Sequence, residues 1–379
     1  MKQIVTTRAG MLWASGLLAL VLGLTLLMWG AGGPLAQQQP GPSLRPPAGA
    51  AGPGQIDPST PGNYDAEMWR KIRQSIGGKV SIPDGKAAVL VDSSGEAWRN
   101  FRNGPLPTYG AWAIAGIVAL LAAFLLVRGP IRIEHGRSNR TIERFSSWER
   151  TGHWLLASSF IILAFTGLNI LYGRYVLLPL IGQQPFAAIT QIGKALHNYV
   201  AFAFMIGLLW VLVAWVRHNL PHWRDLRWLA VGGGFFSKGV HPPAWKFNAG
   251  QKIIFWLVIL GGISISLSGL ALMFPYQVPL FAKTFGVLNS LFGTGLPASL
   301  TANEEMQFAA SWHGIVALFL VVLIIAHIYI GTIGMEGAFS AMGTGHVDAN
   351  WAKEHHSLWA EEVFRGQAKE PRAQPQPAE

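Results

Sequence analysis

The chain alternates long apolar segments with polar, basic loops, and this pattern predicts a membrane protein. Five apolar runs close to the length of a bilayer-crossing helix follow residue 108. They are residues 109–127, 154–171, 199–216, 253–274 and 311–334. We therefore predict an all-α integral membrane protein, in which four helices form a bundle and the first run, 109–127, is an additional helix before it.

The part of the chain before these helices divides by composition into three segments. Residues 1–36 have basic residues before an apolar run, which is typical of a signal peptide or an uncleaved signal anchor, and cleavage after Ala36 is favoured. Residues 37–62 are rich in Gln, Pro, Gly and Ala, and we expect a flexible linker. In residues 63–108 we expect a short helix and a small hairpin that packs on the membrane part or on a partner.

The distribution of basic residues predicts the orientation of the chain. The loops 128–150 and 217–252 each contain six Arg or Lys residues, whereas the loops 172–196 and 275–310 are poor in them. The positive-inside rule places the two basic loops in the cytoplasm, together with the tail, 336–379. It places residues 37–108 in the periplasm of a bacterial inner membrane. We expect the end of the tail to be disordered.

Composition limits the chemistry that the protein can perform. Charged residues make up 13% of the chain, against about 25% in soluble domains. The net charge of +10 fits basic cytoplasmic loops and does not indicate nucleic-acid binding. The chain has no Cys, which excludes disulfides, thiolate zinc sites, cysteine-ligated iron–sulfur clusters and covalent c-type haem. Any metal or haem must be held mainly by the 11 His residues.

Four histidines in or at the ends of the predicted membrane helices pair by depth. His313 and His327 are fourteen residues apart in one helix, so they lie on one face and about 21 Å apart along its axis. His197 lies at the predicted outer side, like His313, and His153 at the predicted cytoplasmic side, like His327. Ionisable residues within a membrane are costly and mark function by default. We predict two haems with paired imidazole ligands, one for each pair.

Two other interpretations of these histidines stay open. Each could be a polar contact between helices, or the pairs could bind a divalent metal, which the lack of nearby carboxylate or Cys disfavours. The glycines within the helices allow close packing, and Gly314, beside His313, could make room for a macrocycle. No ligand role is assigned to the other histidines, which are His135, His218, His222, His241, His346, His355 and His356.

The loop before the fourth helix of the bundle reads WKFNAGQK, residues 245–252, at the predicted depth of His327. A quinone site needs an apolar wall with a few well-placed polar groups. Asn248, Gln251 and Lys252 could supply these groups. The alternative is an interfacial loop in which Asn248 caps the next helix, and the residues alone do not separate the two interpretations.

Several short motifs occur in a specific order between about residues 144 and 360. They are Arg150-Thr-Gly-His-Trp with the Thr166-Gly-Leu that follows, Leu196-His-Asn, Val216-Arg-His-Asn-Leu-Pro, Lys246-Phe-Asn-Ala-Gly-Gln-Lys252, Trp312-His-Gly, His327-Ile-Tyr and Trp351-Ala-Lys-Glu-His-His. In this order they resemble the gamma subunit of membrane-bound respiratory formate dehydrogenase, a di-haem cytochrome b. The segment 63–143 looks like the long-form members of that family. Ser357 departs from the pattern, since Pro commonly follows the His-His pair.

The resemblance implies a set of cofactors and site residues. His197 and His313 would hold one haem b, and His153 and His327 the second, in a cytochrome b domain of residues 144–335. The loop with Asn248 and Gly250 would form the site at which menaquinone or ubiquinone is reduced.

The resemblance also implies partners and a direction of electron flow. An iron–sulfur beta subunit and an alpha subunit containing molybdenum or tungsten would be the partners, besides membrane lipid. Electrons would pass from the beta subunit through both haems to quinone at the cytoplasmic side, so this chain would not itself oxidise formate. The alternatives are the cytochrome b subunit of a nickel–iron hydrogenase or of a thiosulfate-type reductase, and a haem-free membrane anchor.

Overall fold

A computed structural model describes residues 78–79, 89–91, 94–237 and 239–369. The predicted signal segment, 1–36, the predicted linker, 37–62, and the end of the tail lie outside the described residues. In chain order the elements are β1 (Gly78–Lys79), β2 (Val89–Val91), α1 (Ser94–Asn103), α2 (Pro105–Arg128), β3 (Thr141–Glu143), α3 (Ser147–Ile181), α4 (Gln183–Trp215), α5 (Trp223–Ala230), α6 (Ala249–Met273), α7 (Leu280–Phe292), α8 (Ala302–Gly331), α9 (Ala338–Gly343), β4 (His346–Asp348), α10 (Ala349–His355) and α11 (Ser357–Lys369).

Five helices of the described part are long and apolar enough to cross a membrane, and they are α2, α3, α4, α6 and α8. The prediction of an all-α, multi-pass membrane protein is therefore confirmed. Many large apolar side chains point outward from these helices, such as Trp112 (73% exposed) and Val127 (90% exposed) of α2. In a membrane these side chains contact lipid.

The helices extend beyond the apolar runs because polar residues cap their ends. Ser146 and Glu149 form a capping box at the start of α3, and Thr301 and Glu304 form another at the start of α8. Each such cap satisfies backbone N–H groups that have no partner within the helix, and it contributes about 1 kcal/mol. As a result α8 begins at Ala302, although its apolar run begins only at residue 311.

The helices of the bundle pack in an antiparallel arrangement around α8. A turn at Gly182 joins α3 to α4, and these two long helices lie against each other over most of their length. They approach closely at Gly207, where a Cβ would lie 2.8 Å from the backbone nitrogen of Leu156. Only glycine permits this approach. Helix α8 contacts α6 on one side and α2 on another.

The additional helix α2 attaches to the bundle near its N-terminal end. The Tyr172 hydroxyl of α3 donates to the Pro107 carbonyl over 2.8 Å. A Cβ on Gly314 of α8 would lie 2.9 Å from a methyl group of Leu106. Gly314 therefore makes room for α2, and the suggestion that it makes room for a macrocycle is wrong.

The described part of residues 63–108 contains one predicted element and one element that was not predicted. The small hairpin is present, since β1 pairs with β2 in antiparallel fashion. A helix, α1, follows the hairpin directly, where no helix was predicted. The predicted helix before the hairpin lies outside the described residues.

The tail after α8 folds back onto the loop before α3. Strand β3 pairs with β4, with Ile142 opposite Val347, and Ile131 forms a parallel bridge with Met335. We call these two segments, residues 131–145 and 335–369, the tail cap. The backbone N–H groups of Leu358 and Trp359 donate to the Ala244 carbonyl and hold the cap to the loop before α6.

One hydrophobic core joins the tail cap to the nearer half of the bundle. Its buried residues from the bundle include Leu156, Phe204, Leu208, Phe255 and Ile259, and those from the cap include Ile142, Phe145, Val347, Trp351 and Trp359. The tail cap is therefore part of the folded membrane domain and not a separate appendage. Burial of this apolar surface supplies the main driving force that holds it in place.

Candidate functional site

The four predicted histidines meet in the two predicted pairs. The ring centroids of His153, on α3, and His327, on α8, are 6.3 Å apart. Those of His197, on α4, and His313, on α8, are 6.2 Å apart. Helix α8 thus provides one ring to each pair, and fourteen residues separate its two rings by about 21 Å.

The two pairs lie at opposite ends of the bundle. The indole of Trp154, next to His153, donates to the Met342 carbonyl of the tail cap over 3.0 Å. We therefore call His153 and His327 the tail-side pair, and His197 and His313 the far-side pair.

The spacing of each pair suits one metal atom between two imidazoles. With metal–nitrogen distances of about 2 Å, the two ring centroids would be about 6 Å apart. A direct hydrogen bond between the rings would bring them about 1 Å closer, and among the described residues no such bond joins either pair.

The donor set of each pair points to a haem and not to a bare metal ion. The described part of the chain has no group of three or more His, Asp or Glu side chains placed to bind a metal ion. Each pair offers two imidazoles alone. This set fits an iron whose four other ligands come from a planar macrocycle.

A hydroxyl of a neighbouring helix holds each far-side ring. Thr166 Oγ1 of α3 lies 2.8 Å from His197 Nδ1, and Ser268 Oγ of α6 lies 3.0 Å from His313 Nδ1. Each hydroxyl donates its own proton to a carbonyl of its helix, over 2.8 and 3.0 Å, so it accepts from the ring. Nδ1 therefore carries the ring proton, and Nε2 keeps the lone pair that a metal needs.

A glycine follows each of these hydroxyl residues and lies against the same ring. A Cβ on Gly167 would be 3.3 Å from His197 Cε1, and a Cβ on Gly269 would be 3.4 Å from His313 Cε1. The dipeptides Thr166-Gly167 and Ser268-Gly269 thus make equivalent contacts from two different helices. Sequence reasoning missed this role, although the signal, a hydroxyl residue followed by glycine, is visible in both helices.

The tail-side pair has different surroundings. His153 Nδ1 is buried and has no hydrogen-bond partner among the described residues. Its ring centroid lies 6.2 Å from the ring centroid of Trp215. The Trp215 indole donates to Glu149 over 2.9 Å, and Lys246 Nζ donates to the same carboxylate over 2.6 Å. The His153 ring therefore lies beside an aromatic side chain that is hydrogen-bonded to an ion pair.

The loop that was predicted to contact quinone begins α6. Asn248 Oδ1 accepts from the Gln251 backbone N–H over 2.9 Å, and Gln251 Oε1 accepts from the Asn248 backbone N–H over 3.0 Å. Asn248 is thus the helix cap of the alternative interpretation. The cap uses only the side-chain oxygens, so the amide N–H groups are left to donate elsewhere. Gly250 packs against Trp228, since a Cβ would lie 3.0 Å from that ring.

Lys252 has a role that differs from the predicted one. Its Nζ donates to both carboxylate oxygens of Asp225, over 3.1 and 2.9 Å, and to the Leu220 carbonyl over 3.0 Å. The residue is 6% exposed. All three ammonium protons are therefore engaged, and Lys252 ties α5 to α6 instead of facing a ligand.

A cleft of about 520 Å³ opens beside this loop. Its walls come from the end of α2, residues 129–134, residues 233–235, 237, 240 and 241, Met335 and His355. A smaller space shares five of these residues and extends to Asn248 and Trp228. The cleft has the volume of a small-molecule site. Sequence reasoning assigned no role to His241 and His355, which line it.

Titratable groups outside the membrane helices are concentrated at this cleft. Burial lowers the pKa of His355 to about 4. A hydrogen bond from the Gly239 backbone, and then one from His241, lower the pKa of Glu134. Burial alone would raise the pKa of Glu354, but hydrogen bonds from the backbone and ring of His135 outweigh it and lower that pKa.

The comparison with protein families decides the class of the protein. The sequence model of prokaryotic cytochrome b561 matches residues 144–345, which is more than half of the chain. The chain belongs to the prokaryotic cytochrome b561 family. The matched segment runs from the start of the bundle to the tail cap and contains all four paired histidines, so the predicted cytochrome b fold is confirmed. Membership of this family implies b-type haem.

Curated relatives of this cytochrome b come from formate dehydrogenases. The formate dehydrogenase cytochrome b556(fdo) subunit of Escherichia coli is 28% identical over 223 residues, which are 59% of this chain and 93% of that protein. The nitrate-inducible cytochrome b556(Fdn) subunit of Escherichia coli is 25% identical over 233 residues, 61% of this chain and 95% of that protein. The formate dehydrogenase cytochrome b556 subunit of Haemophilus influenzae is also 25% identical over 233 residues, 87% of its length. The predicted resemblance is confirmed.

Proposed function

We propose that this chain is the membrane cytochrome b subunit of a respiratory formate dehydrogenase, and that it passes electrons through two b-type haems to quinone. The observation that carries the proposal is the pair of facing imidazoles at each end of the bundle, with one ring of each pair on α8. Family membership supports the haem, and the names of the relatives support formate as the source of electrons.

The four histidines would be the axial ligands. His197 and His313 would bind one haem, and His153 and His327 the other. A haem bound in this way supplies one-electron transfer. The protein holds the far-side rings in the correct tautomer and fixes all four rings on long, packed helices, so that little reorganisation accompanies the change in charge.

The proposed orientation places the tail cap in the cytoplasm. The loops that meet there contain the two groups of six basic residues, as the positive-inside rule requires. The far-side pair would then lie toward the periplasm of the bacterial inner membrane. An iron–sulfur beta subunit would deliver electrons there, and it would receive them from an alpha subunit that contains molybdenum or tungsten.

Quinone, menaquinone or ubiquinone, would bind in the cleft at the tail side. Asn248 and Trp228 line the small space at its inner end, where the Asn248 side-chain amide is an available donor and Trp228 provides an apolar wall. Gly250 packs against Trp228, and Gln251 would support the loop as the partner of Asn248 in the capping box. Lys252 would support this loop from behind through its ion pair with Asp225.

The decisive experiment measures haem content and quinone reduction in the full chain purified from membranes. We expect two b-type haems per chain, and we expect the His327→Ala variant to lose one haem together with quinone reduction. Two intact haems in this variant would refute the assignment. Absence of a b-type absorption band in the wild type would indicate a haem-free anchor. Co-purification with a nickel–iron partner that oxidises hydrogen would indicate that hydrogen, and not formate, is the source of electrons.

A further inference from the structure

Three titratable side chains form a row along the wall of the cleft, from the solvent toward the loop that begins α6. Glu134 and His241 are partly exposed, 36% and 26%, and His241 Nε2 lies 3.0 Å from a Glu134 carboxylate oxygen. The rings of His241 and His355 have centroids 6.0 Å apart. His355 is the innermost of the three, and it borders the small space that Asn248 also lines.

His355 has the features of a proton donor without a fixed structural partner. Its Nε2 is buried and has no hydrogen-bond partner among the described residues. A buried polar atom normally has such a partner, so an unpaired one calls for an explanation. In a cleft of this size the missing partner is a bound molecule or an ordered water.

Reduction of a quinone requires protons as well as electrons. Two electrons and two protons convert one quinone to one quinol, and an O–H bond forms at each carbonyl oxygen. The haems would supply the electrons, but no haem supplies a proton. The protons must reach the carbonyl oxygens from water, through groups that can both accept and release them.

We propose that Glu134, His241 and His355 form a proton relay from the aqueous phase to a quinone bound beside Asn248. This inference rests on the proposed function. Glu134 takes a proton from water and passes it to His241, which it contacts directly. His241 passes it to His355 through one water or a small ring rotation, and His355 donates it to the quinone oxygen.

The charges around His355 are compatible with this role. The groups that face it or line the same cleft are Glu134, Glu354, His241, Arg128, Arg132 and Arg144. Burial lowers the pKa of His355 to about 4, so the ring is neutral at pH 7. A neutral imidazole can accept a proton on one nitrogen and release one from the other. The carboxylate of Glu354 instead holds the backbone of Glu134 and His135 in place.

The relay belongs to the segments that flank the bundle. Glu134 and His355 lie outside residues 144–345, the part of the chain that the family model matches, and only His241 lies within it. The bundle would therefore conduct electrons, while the tail cap and the loop that contains His241 would conduct protons.

The test uses the full chain with its haems. The haems are reduced with dithionite, the excess reductant is removed, and the protein is then mixed with 2,3-dimethyl-1,4-naphthoquinone. Reoxidation of the haems is followed by absorbance in His355→Ala, His241→Ala and Glu134→Gln. The control is His346→Ala, which removes an exposed histidine of the tail cap that does not line the cleft. Binding of the naphthoquinone is measured separately, by quenching of tryptophan fluorescence.

We expect His355→Ala to slow reoxidation by about 10²-fold, the low end of the contribution of a positioned acid–base group. Added imidazole should restore the rate, and binding of the naphthoquinone should be unchanged. His241→Ala and Glu134→Gln should also slow reoxidation of the haems. The effect should be strongest at high pH, where protons in solution are scarce. His346→Ala should react like the wild type.

Three results would overturn the relay. They are a wild-type rate in His355→Ala, a slow rate that imidazole does not restore, and a loss of naphthoquinone binding that accounts for the slower rate. Haem content shows whether His355→Ala is folded, and the exposed Glu134→Gln provides an independent test if it is not. A wild-type protein with two haems that does not react with quinone would instead contradict the proposed function itself.

Discussion

The far-side and tail-side histidine pairs have almost the same spacing, 6.2 and 6.3 Å, but they have different neighbours. A hydroxyl and a glycine contact each far-side ring. On the tail side, His153 Nδ1 has no partner among the described residues. Helix α8 contributes one ring to each pair and fixes the distance between the two pairs. The neighbouring helices determine which ring nitrogens have a hydrogen-bond partner.

This difference has a consequence for electron transfer. An imidazole whose N–H donates to an oxygen is a more basic ligand, and a more basic ligand stabilises ferric over ferrous iron. Under the proposed function, hydrogen bonding would therefore lower the reduction potential of the far-side haem relative to the tail-side one. Electrons would then move toward the tail side, the direction that the proposed function needs.

The largest expected effect comes from removing one ligand of each pair. His313→Ala should lose the far-side haem, and His153→Ala should lose the tail-side haem, because one imidazole alone holds a b-type haem poorly. Redox titration of the absorption spectrum should then retain only the higher-potential transition in His313→Ala and only the lower-potential one in His153→Ala. Loss of the same transition in both variants would show that the pairs do not bind separate haems.

A smaller effect is expected from filling the space beside a far-side ring. Gly269→Val places methyl groups against His313 and should lower far-side haem occupancy. Gly116→Val is the control, since a Cβ on Gly116 of the membrane helix α2 would have no neighbour within 4 Å. Haem content should fall in the first variant and stay unchanged in the second. Equal losses in both would indicate a general effect on helix packing.

Acid should weaken the attachment of the tail cap to the bundle. Burial lowers the pKa of His355 to about 4 and that of His356 well below its ordinary value of 6.5. A detached tail cap therefore binds more protons than the folded one between pH 6.5 and 4, so its stability falls as the pH falls through this window.

Amide hydrogen exchange of residues 346–359 measures this effect. After correction for the intrinsic pH dependence of exchange, these amides should exchange faster at pH 5 than at pH 7. The carboxylate of Glu354, whose pKa is lowered by its hydrogen bonds, shifts stability in the same direction as it becomes protonated. Equal protection of the tail cap at both pH values would contradict the assignment of these shifts.

The smallest effect tests the hydroxyl contacts themselves. Thr166→Val or Ser268→Ala should raise the lower of the two reduction potentials by at most about 20–60 mV, which corresponds to one hydrogen bond of about 0.5–1.5 kcal/mol. The higher potential should not move. Ser158→Ala and Ser266→Ala are controls in the same two helices, since these hydroxyls bond only to carbonyls of their own helix. A shift of the higher potential instead would mean that the far-side haem has the higher reduction potential, the opposite of what we expect.

The pairing of the histidines could be predicted because it depends on the regular geometry of a helix. Fourteen residues between His313 and His327 fix both their common face and their separation. The helix ends were harder to predict, since α8 begins at Ala302 through a cap at Thr301 and not at its first apolar residue. Helix α7 was not predicted, because its apolar run is too short to stand out as a membrane span.

The tail cap could not be predicted, because contacts between residues about 200 positions apart create it. Glu354 accepts hydrogen bonds from the backbone of Glu134 and His135, and no local pattern indicates this. The proximity of His241 and His355 could not be predicted for the same reason, since no sequence motif contains both residues. The ion pair of Lys252 with Asp225 likewise depends on how α5 folds against α6.

The bridge between Ile131 and Met335 determines when the cleft can form during biosynthesis. Residues 131–145 leave the ribosome before any helix of the bundle, and residues 335–359 leave it after the last one. Until then Arg144, which later donates to the Lys246 carbonyl and contacts the rings of Trp351 and Trp359, lacks these two aromatic neighbours. The tail cap therefore forms only after the last membrane helix has been synthesised. A chain that ends after α8 would lack the tail residues that complete the wall of the cleft.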